Sequence, residues 1–195
     1  YNTEASTVTG IYFNGTFFWI VSATSDKVYK YYANGSYTGT SFSIITEAPS
    51  ANDIYFNGSH FFIDDTSTNP DKIHLYNEDG TYSGINFTLN NNTSDGLFIT
   101  DNNYLFVVED GNILHKYNSS NGSYLSIFSN LTTSSNGLTF NGSSFFISRG
   151  VIDGSEARDI LEYNSTFTNI SITSANPQQS NLSFNEKFDA EWTIN

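Results

Sequence analysis

Ile54-Tyr55-Phe56-Asn57-Gly58-Ser59-His60-Phe61-Phe62-Ile63 is the stretch whose reading decides the fold. Two short runs of aromatic and β-branched residues flank Asn57-Gly58, the dipeptide most favoured in two-residue hairpin turns, where both positions are expected to take positive φ. The same phrase returns along the chain. Gly10-Ile11-Tyr12-Phe13-Asn14-Gly15, Gly96-Leu97-Phe98-Ile99-Thr100-Asp101, Gly137-Leu138-Thr139-Phe140-Asn141-Gly142 and Asn181-Leu182-Ser183-Phe184-Asn185-Glu186 align with it. Their leading apolar positions, 11, 54, 97, 138 and 182, are 43, 43, 41 and 44 residues apart. Self-similarity at a fixed period of this size marks a repeat architecture.

Working outward, each unit continues alike. A second apolar run follows the hairpin turn (17–21, 61–63, 104–108, 145–147). A third ends in tyrosine, at Tyr31, Tyr76, Tyr117 and Tyr163, and a fourth closes the unit (42–44, 87–89, 131–132, 170–172). Four short strands per repeat, with no sustained helical periodicity, is the pattern of a propeller blade. Asn34-Gly35 and Asn121-Gly122 mark the turn between third and fourth strands. The expected fold is therefore all-β, a β-propeller in one domain over 1–195. Its repeats span about 10–52, 53–95, 96–136 and 137–180, with a partial repeat at 181–195. Four full blades plus a half blade are expected to make a five-bladed ring. The half blade would be closed by the N-terminal strand at 6–8, or by a neighbouring chain, which would build a filament.

The pattern G-I/L-x-F-N-G-x-x-F-F, then V/I-Y-K-Y, then N-G-S-Y-T-G in the first repeat resembles secreted propeller repeats of the NHL and YVTN type. The likeness covers about residues 10–195. It implies the fold and is nearly silent on activity, because propellers host many unrelated functions.

Composition narrows the setting. Twenty Asp and Glu against seven Lys and Arg give a net charge of −13, which disfavours nucleic acid as a partner. Cysteine is absent, so there is neither a disulfide nor a thiolate site. The longest apolar runs are far too short to cross a bilayer, so no transmembrane segment is expected. The chain opens on Tyr1 without a basic and apolar leader, which reads as a processed or trimmed start.

The acceptor pattern N-x-S/T occurs at Asn14, Asn34, Asn57, Asn86, Asn91, Asn92, Asn118, Asn121, Asn130, Asn141, Asn164, Asn169 and Asn181. Chance would supply roughly six in a chain of this composition. Hairpin chemistry explains Asn14, Asn34, Asn57, Asn121 and Asn141 without any sugar. It does not explain Asn86, Asn130 and Asn169, which align with Ser41 at the start of the outermost strand, where asparagine is disfavoured. A glycan there would block edge-to-edge pairing. N-linked glycans, and with them an extracellular or cell-surface location, are the expectation.

Catalytic motifs are not found. His74 and His115 occupy the slot held by Tyr29 and Leu161 in other repeats, which reads as packing, and His60 follows a hairpin turn without an evident partner. The recurrent phenylalanines and tyrosines read as inter-blade core. Twelve of the twenty carboxylates fall in the connections on one face of the ring. Among them Asp64, Asp65 and Asp71 flank one loop and form a weak candidate for Ca²⁺, against a solvated acidic face as the plainer reading. The expected function is a non-enzymatic structural or interaction protein, such as a surface coat or filament subunit, with other protein subunits or surface glycans as partners and a homo-oligomer or filament as its form. Its alternatives are a carbohydrate- or cation-dependent binding module on the acidic face and a secreted propeller hydrolase or lyase.

Overall fold

A computed structural model describes residues 4–100, 102–110, 112–131, 135–149 and 160–164. Fifteen strands build four antiparallel sheets in chain order. Blade 1 holds β1 (Val8–Phe13), β2 (Phe17–Ser22), β3 (Lys27–Tyr32) and β4 (Tyr37–Ser43). Blade 2 holds β5 (Ala51–Phe56), β6 (His60–Asp65), β7 (Lys72–Asn77) and β8 (Tyr82–Thr88). Blade 3 holds β9 (Ser94–Ile99), β10 (Tyr104–Glu109), β11 (Ile113–Asn118) and β12 (Tyr124–Asn130). Blade 4 is described through β13 (Ser135–Phe140), β14 (Ser144–Arg149) and β15 (Ile160–Asn164). This is the β-propeller that the repeat implied. No helix among the described residues is long and apolar enough to cross a membrane. The partial repeat at 181–195 lies outside the described residues.

Most strands carry apolar residues on both faces, so each sheet must be covered on both sides. Trp19, Val21 and Val28 of blade 1 pack with Ile54, Phe61, Ile63 and Tyr76 of blade 2. Phe62, Ile73 and Phe87 of blade 2 meet Leu97, Leu105 and Tyr117 of blade 3, and Phe106, Val108 and Leu114 meet Phe145, Ile147 and Tyr163 of blade 4. A ladder of rings follows the inner strands: Tyr12 to Tyr55 at 5.0 Å and Tyr55 to Phe98 at 5.1 Å edge-on, and Phe98 to Phe140 tilted at 5.6 Å. Such ring pairs add about 0.5–1.5 kcal/mol each to the area they bury.

Around the axis the inner strands touch without sharing a ladder. Thr9 Oγ1 donates to Ala51 O at 2.7 Å, Asn52 Nδ2 to Ser94 O at 2.7 Å, and Leu97 N to Asp53 Oδ2 at 3.0 Å. Glycine makes the approach possible: a Cβ on Gly10 would stand 2.6 Å from Asp53 Cα.

Two expectations need correcting. Residues 6–8 are not a spare closing strand. Val8 pairs with Ser22 as the leading end of β1, and Thr7 O accepts Ala23 N, so this segment is committed to blade 1. The Asn-Gly turns also differ from the expected form with two left-handed residues. Only the glycines take positive φ (Gly15 at 90°, Gly58 at 96°, Gly142 at 99°). The asparagines instead cap the turn with their side chains. Asn57 Oδ1, for instance, accepts Ser59 N at 3.0 Å, Ser59 Oγ at 3.1 Å and His60 N at 2.9 Å.

Gly58 has nothing within 4 Å of a prospective Cβ, so a side chain there acts through backbone strain alone. Gly58→Val is expected to lower stability by about 1–3 kcal/mol. Gly10→Ala, which forces two strands apart at the axis, is expected to cost at least as much in chemical denaturation. An unchanged midpoint for both would contradict this geometry.

Candidate functional site

Asp64, Asp65 and Asp71 are all fully buried, so they do not belong to a solvated acidic face. β6 runs through Asp65, whereas the sequence pattern ended this strand at Ile63. Neighbours in a strand point to opposite faces, and the three carboxylates are split accordingly. Asp65 shares the face of Phe61 and Ile63 towards blade 1; its Oδ1 accepts Ser50 N of the incoming connection at 3.0 Å, and its Oδ2 accepts Ser67 Oγ of its own loop at 2.6 Å. Asp64 and Asp71 turn towards blade 3 and meet at Ser94, the first residue of β9. Among the described residues, no three acidic or histidine side chains converge on one cation position.

The Ser94 contacts contain a hydrogen-counting constraint. Its Oγ lies 2.5 Å from Asp64 Oδ1 and 3.1 Å from Asp71 Oδ2, while its N–H donates to Asp71 Oδ2 at 2.9 Å. A hydroxyl has one hydrogen and cannot donate to both acids. A proton on Asp64 completes the chain: Asp64 donates to Ser94 Oγ, and Ser94 donates to Asp71. The environment favours that proton. Burial pushes Asp64 well above the usual carboxylate range, and Asp53, Asp71 and Asp65 add like-charge repulsion, against a lowering contribution from Ser94. Burial likewise raises Asp71. Among the described residues, Asp64 Oδ2 and Asp71 Oδ1 find no hydrogen-bond partner, which makes ionisation of both still less favourable. At the equivalent position of the blade 1–2 junction, Val21 and Ala51 stand in place of Asp64 and Ser94.

A second polar motif fastens the inter-blade connections. Tyr117 donates through its hydroxyl to Glu109 Oε1 and accepts Asn90 N at 2.9 Å, while Glu109 Oε2 accepts Asn91 N at 2.7 Å. His115 Nδ1 lies 3.4 Å from Glu109 Oε1. One blade earlier, the Tyr76 hydroxyl reaches Glu47 Oε2 at 3.4 Å and His74 Nε2 lies 3.9 Å from Asp65 Oδ2. Burial lifts Glu109 to about 7 and raises Tyr76 and Tyr117, and it lowers both imidazoles below their ordinary value. Sequence reasoning treated the histidines as packing and did not pair them with these acids. The signal was available. His74 with Asp65 and His115 with Glu109 change together, at the same two repeat positions where blade 1 has Tyr29 and Ser22.

At the axis, a cavity of about 680 Å³ is lined by Thr9, Gly10, Asp53, Asp95, Leu97 and Gly137, among others. Burial raises Asp53 to about 7, although Leu97 N and Ile54 N both donate to it.

The candidate glycan acceptors lie on the surface. Asn14, Asn34, Asn57, Asn86, Asn92, Asn121, Asn130 and Asn141 are exposed, and Asn91 and Asn118 are half-buried. Asn169 and Asn181, and the side chain of Asn164, lie outside the described residues. Asn86 sits in β8 opposite His74, the register of Ser41 opposite Tyr29, as aligned. Asn130 does not share that register. A shift between Leu114 and His115 places it opposite Ile113 at the end of β12, and Ile127 takes the position of Ser41.

No known protein family and no curated protein matches the sequence. Solved structures do resemble the fold. The computationally designed Ika4 protein aligns with a TM-score of 0.54 at 8% identity, over 84% of this chain and 93% of that one. A chain of a nidogen/laminin complex aligns with a TM-score of 0.67 at 12% identity, over 88% of this chain and 65% of that one. The designed Ika8 protein aligns at 0.50 and 8% identity, over 80% of this chain, which spans only 45% of Ika8. At these identities the likeness concerns architecture alone.

Raised carboxylates set a direction for pH dependence. A group whose folded pKa lies above its unfolded value loses stability as pH rises from the unfolded value through the folded one. Asp53, Asp64, Asp71 and Glu109 therefore weaken the fold from about pH 4 upwards. His74 and His115 act oppositely, losing stability as pH falls through about 6.5. Asp64→Asn keeps a donor for Ser94 and removes one titration. Its melting temperature should exceed that of the parent by several degrees at pH 8, and by much less near pH 4.5. A gap independent of pH would remove the shared-proton assignment.

Proposed function

We propose that this propeller is a non-catalytic, N-glycosylated extracellular module that serves as a structural or interaction subunit at a cell surface. The observation that carries the reading is the exposure of sequon asparagines on the outermost strands, at Asn86 and Asn130, where turn geometry does not call for them.

Turn chemistry by itself explains the hairpin sequons, and blade 2 provides the control. Asp79-Gly80-Thr81 makes the same turn as Asn34-Gly35-Ser36, with Asp79 Oδ1 accepting Thr81 N at 2.9 Å and Thr81 Oγ1 at 2.6 Å. Asn34 Oδ1 accepts Ser36 N at 3.0 Å and Ser36 Oγ at 2.7 Å. An acid serves the turn as well as an asparagine, so these turns do not require the acceptor residue. Asn86 and Asn130 have no such role and lie in the edge strand of each blade. Bulky sugar at an exposed edge prevents pairing with another sheet. The non-catalytic reading draws on the histidines: His74 and His115 are 6% and 1% exposed and enclosed between blades, while the more open His60 meets Ser59 of its own hairpin turn at 2.9 Å.

Peptide mapping of the protein from its natural source tests the proposal. Hexose-bearing peptides are expected at Asn86, Asn130 and Asn169. Unmodified asparagine at all three positions would overturn it.

A further inference from the structure

A second cavity, of about 480 Å³, opens among the turns that join the first and second strands of blades 1, 2 and 3. Its volume falls within the range of small-ligand sites, roughly 300–1,000 Å³. One part of its wall is aromatic: Tyr55 and Phe56 stand edge-on to Tyr12 at 5.0 and 6.3 Å. The other part carries the side chains of Asn14, Asn57 and Asn103, all three exposed. None of the described residues lining it is charged, although the chain carries a net −13.

The turns hold two of these amides in fixed orientations. Asn14 Oδ1 accepts Thr16 N at 3.0 Å and Phe17 N at 2.8 Å, and Asn57 Oδ1 is held in the same way by Ser59 and His60. Each turn uses the carbonyl half of its amide and leaves the two Nδ2 hydrogens as donors. Blade 3 departs from the repeat at this place. Its turn closes from Thr100 to Tyr104, one residue longer than the turn from Asn57 to His60, and sets Asn103 at a φ of 60°. That conformation is uncommon for any residue but glycine. Ser119 holds it, donating to Asn103 O through N at 3.0 Å and through Oγ at 2.8 Å. Ser119 is buried beneath this longer turn, whereas Ala33 and Glu78, at the same place in blades 1 and 2, are exposed. Glycine would take this φ at less cost, and asparagine instead brings a third amide to the cavity.

The geometry points to a binding site for a neutral saccharide, with a C–H face of the sugar against the aromatic wall and its hydroxyls on the three amides. A metal cation finds no carboxylate among the described lining, and an anion meets a strongly negative protein. A polyhydroxylated ring without charge suits both parts of the wall. The acidic connections lie at the opposite ends of these strands and take no part. This names a partner for the interaction role proposed above and rests on that role, but on none of the chain's own glycans, so a failure here leaves the mapping of Asn86, Asn130 and Asn169 unaffected.

Saturation-transfer NMR tests the site, using the full chain from a host that adds no N-glycans and cellobiose, chitobiose and lactose as probes. At least one sugar should receive saturation at its C–H protons and titrate to a plateau. Asn57→Asp keeps the turn, as Asp79 does in blade 2, but exchanges the donors for acceptors. It should weaken that sugar by roughly five-fold or more, the scale of one lost hydrogen bond, without lowering the melting temperature. Asn103→Gly should weaken it similarly, with a melting temperature equal to or above that of the parent. Asn34→Asp, the same exchange at a turn between third and fourth strands, should leave binding unchanged. Failure of all three sugars to bind would overturn the inference, as would binding that survives both Asn57→Asp and Asn103→Gly. So would a glycan on Asn14 or Asn57 in the protein from its natural source, because it would occupy the donor nitrogen.

Discussion

Each sheet in this protein is apolar on both faces, and no blade can satisfy that constraint alone. Ile54 and Ile11 occupy the same place in successive blades, yet one is 2% and the other 57% exposed. Burying a side chain of this size contributes about 1.5–3 kcal/mol, and many such positions line every junction. Stability is therefore a sum over neighbouring blades rather than a property of any one of them. The turns serve the same requirement. Gly80 and Gly122 leave room for Phe42 and Phe87 of the preceding blade, so the outer rim closes along with the core.

Polar groups enter the junctions under strict accounting. The carboxylates Asp65 and Glu109 end their second strands and hold the backbone of the connection arriving from the previous blade. These N–H groups would otherwise be buried without partners, at about 1–3 kcal/mol each. Asp64 and Asp71 are different, because they face each other across one hydroxyl and retain an unpartnered oxygen apiece. The blade 2–3 junction accepts a proton where the blade 1–2 junction has valine and alanine. A chain of net charge −13 that also buries acids is relieved twice as pH falls, first at this junction, where the raised acids take up protons earliest, and then at its surface.

Much of the fold was legible because its determinants are local. Repeat period, strand order and the hairpin glycines are written in short windows, through alternation along a strand and the positive φ that glycine tolerates. The limits of that legibility have equally concrete causes. The turn asparagines cap through Oδ1 instead of adopting the left-handed conformation, a distinction that one dipeptide does not encode. Asn130 left its expected register because of an irregularity in the pairing of β11 with β12. The second strand of blade 2 ran two residues further than its apolar run, carrying Asp64 and Asp65 inside.

By itself, the sequence determined that the chain is a repeating all-β structure, with turns at Asn14-Gly15, Asn34-Gly35, Asn57-Gly58, Asn121-Gly122 and Asn141-Gly142 and its aromatic positions reserved for junctions. These are properties of residues and their near neighbours. Only the tertiary structure decided which acids are surface charges and which are buried, and which apolar faces lack a cover. Asp64 meets Ser94 across 30 positions of sequence, and Ile11 is exposed where Ile54, at the same repeat position, is buried. Burial is conferred by distant parts of the chain, so no local pattern at Asp64 or Ile11 could report it.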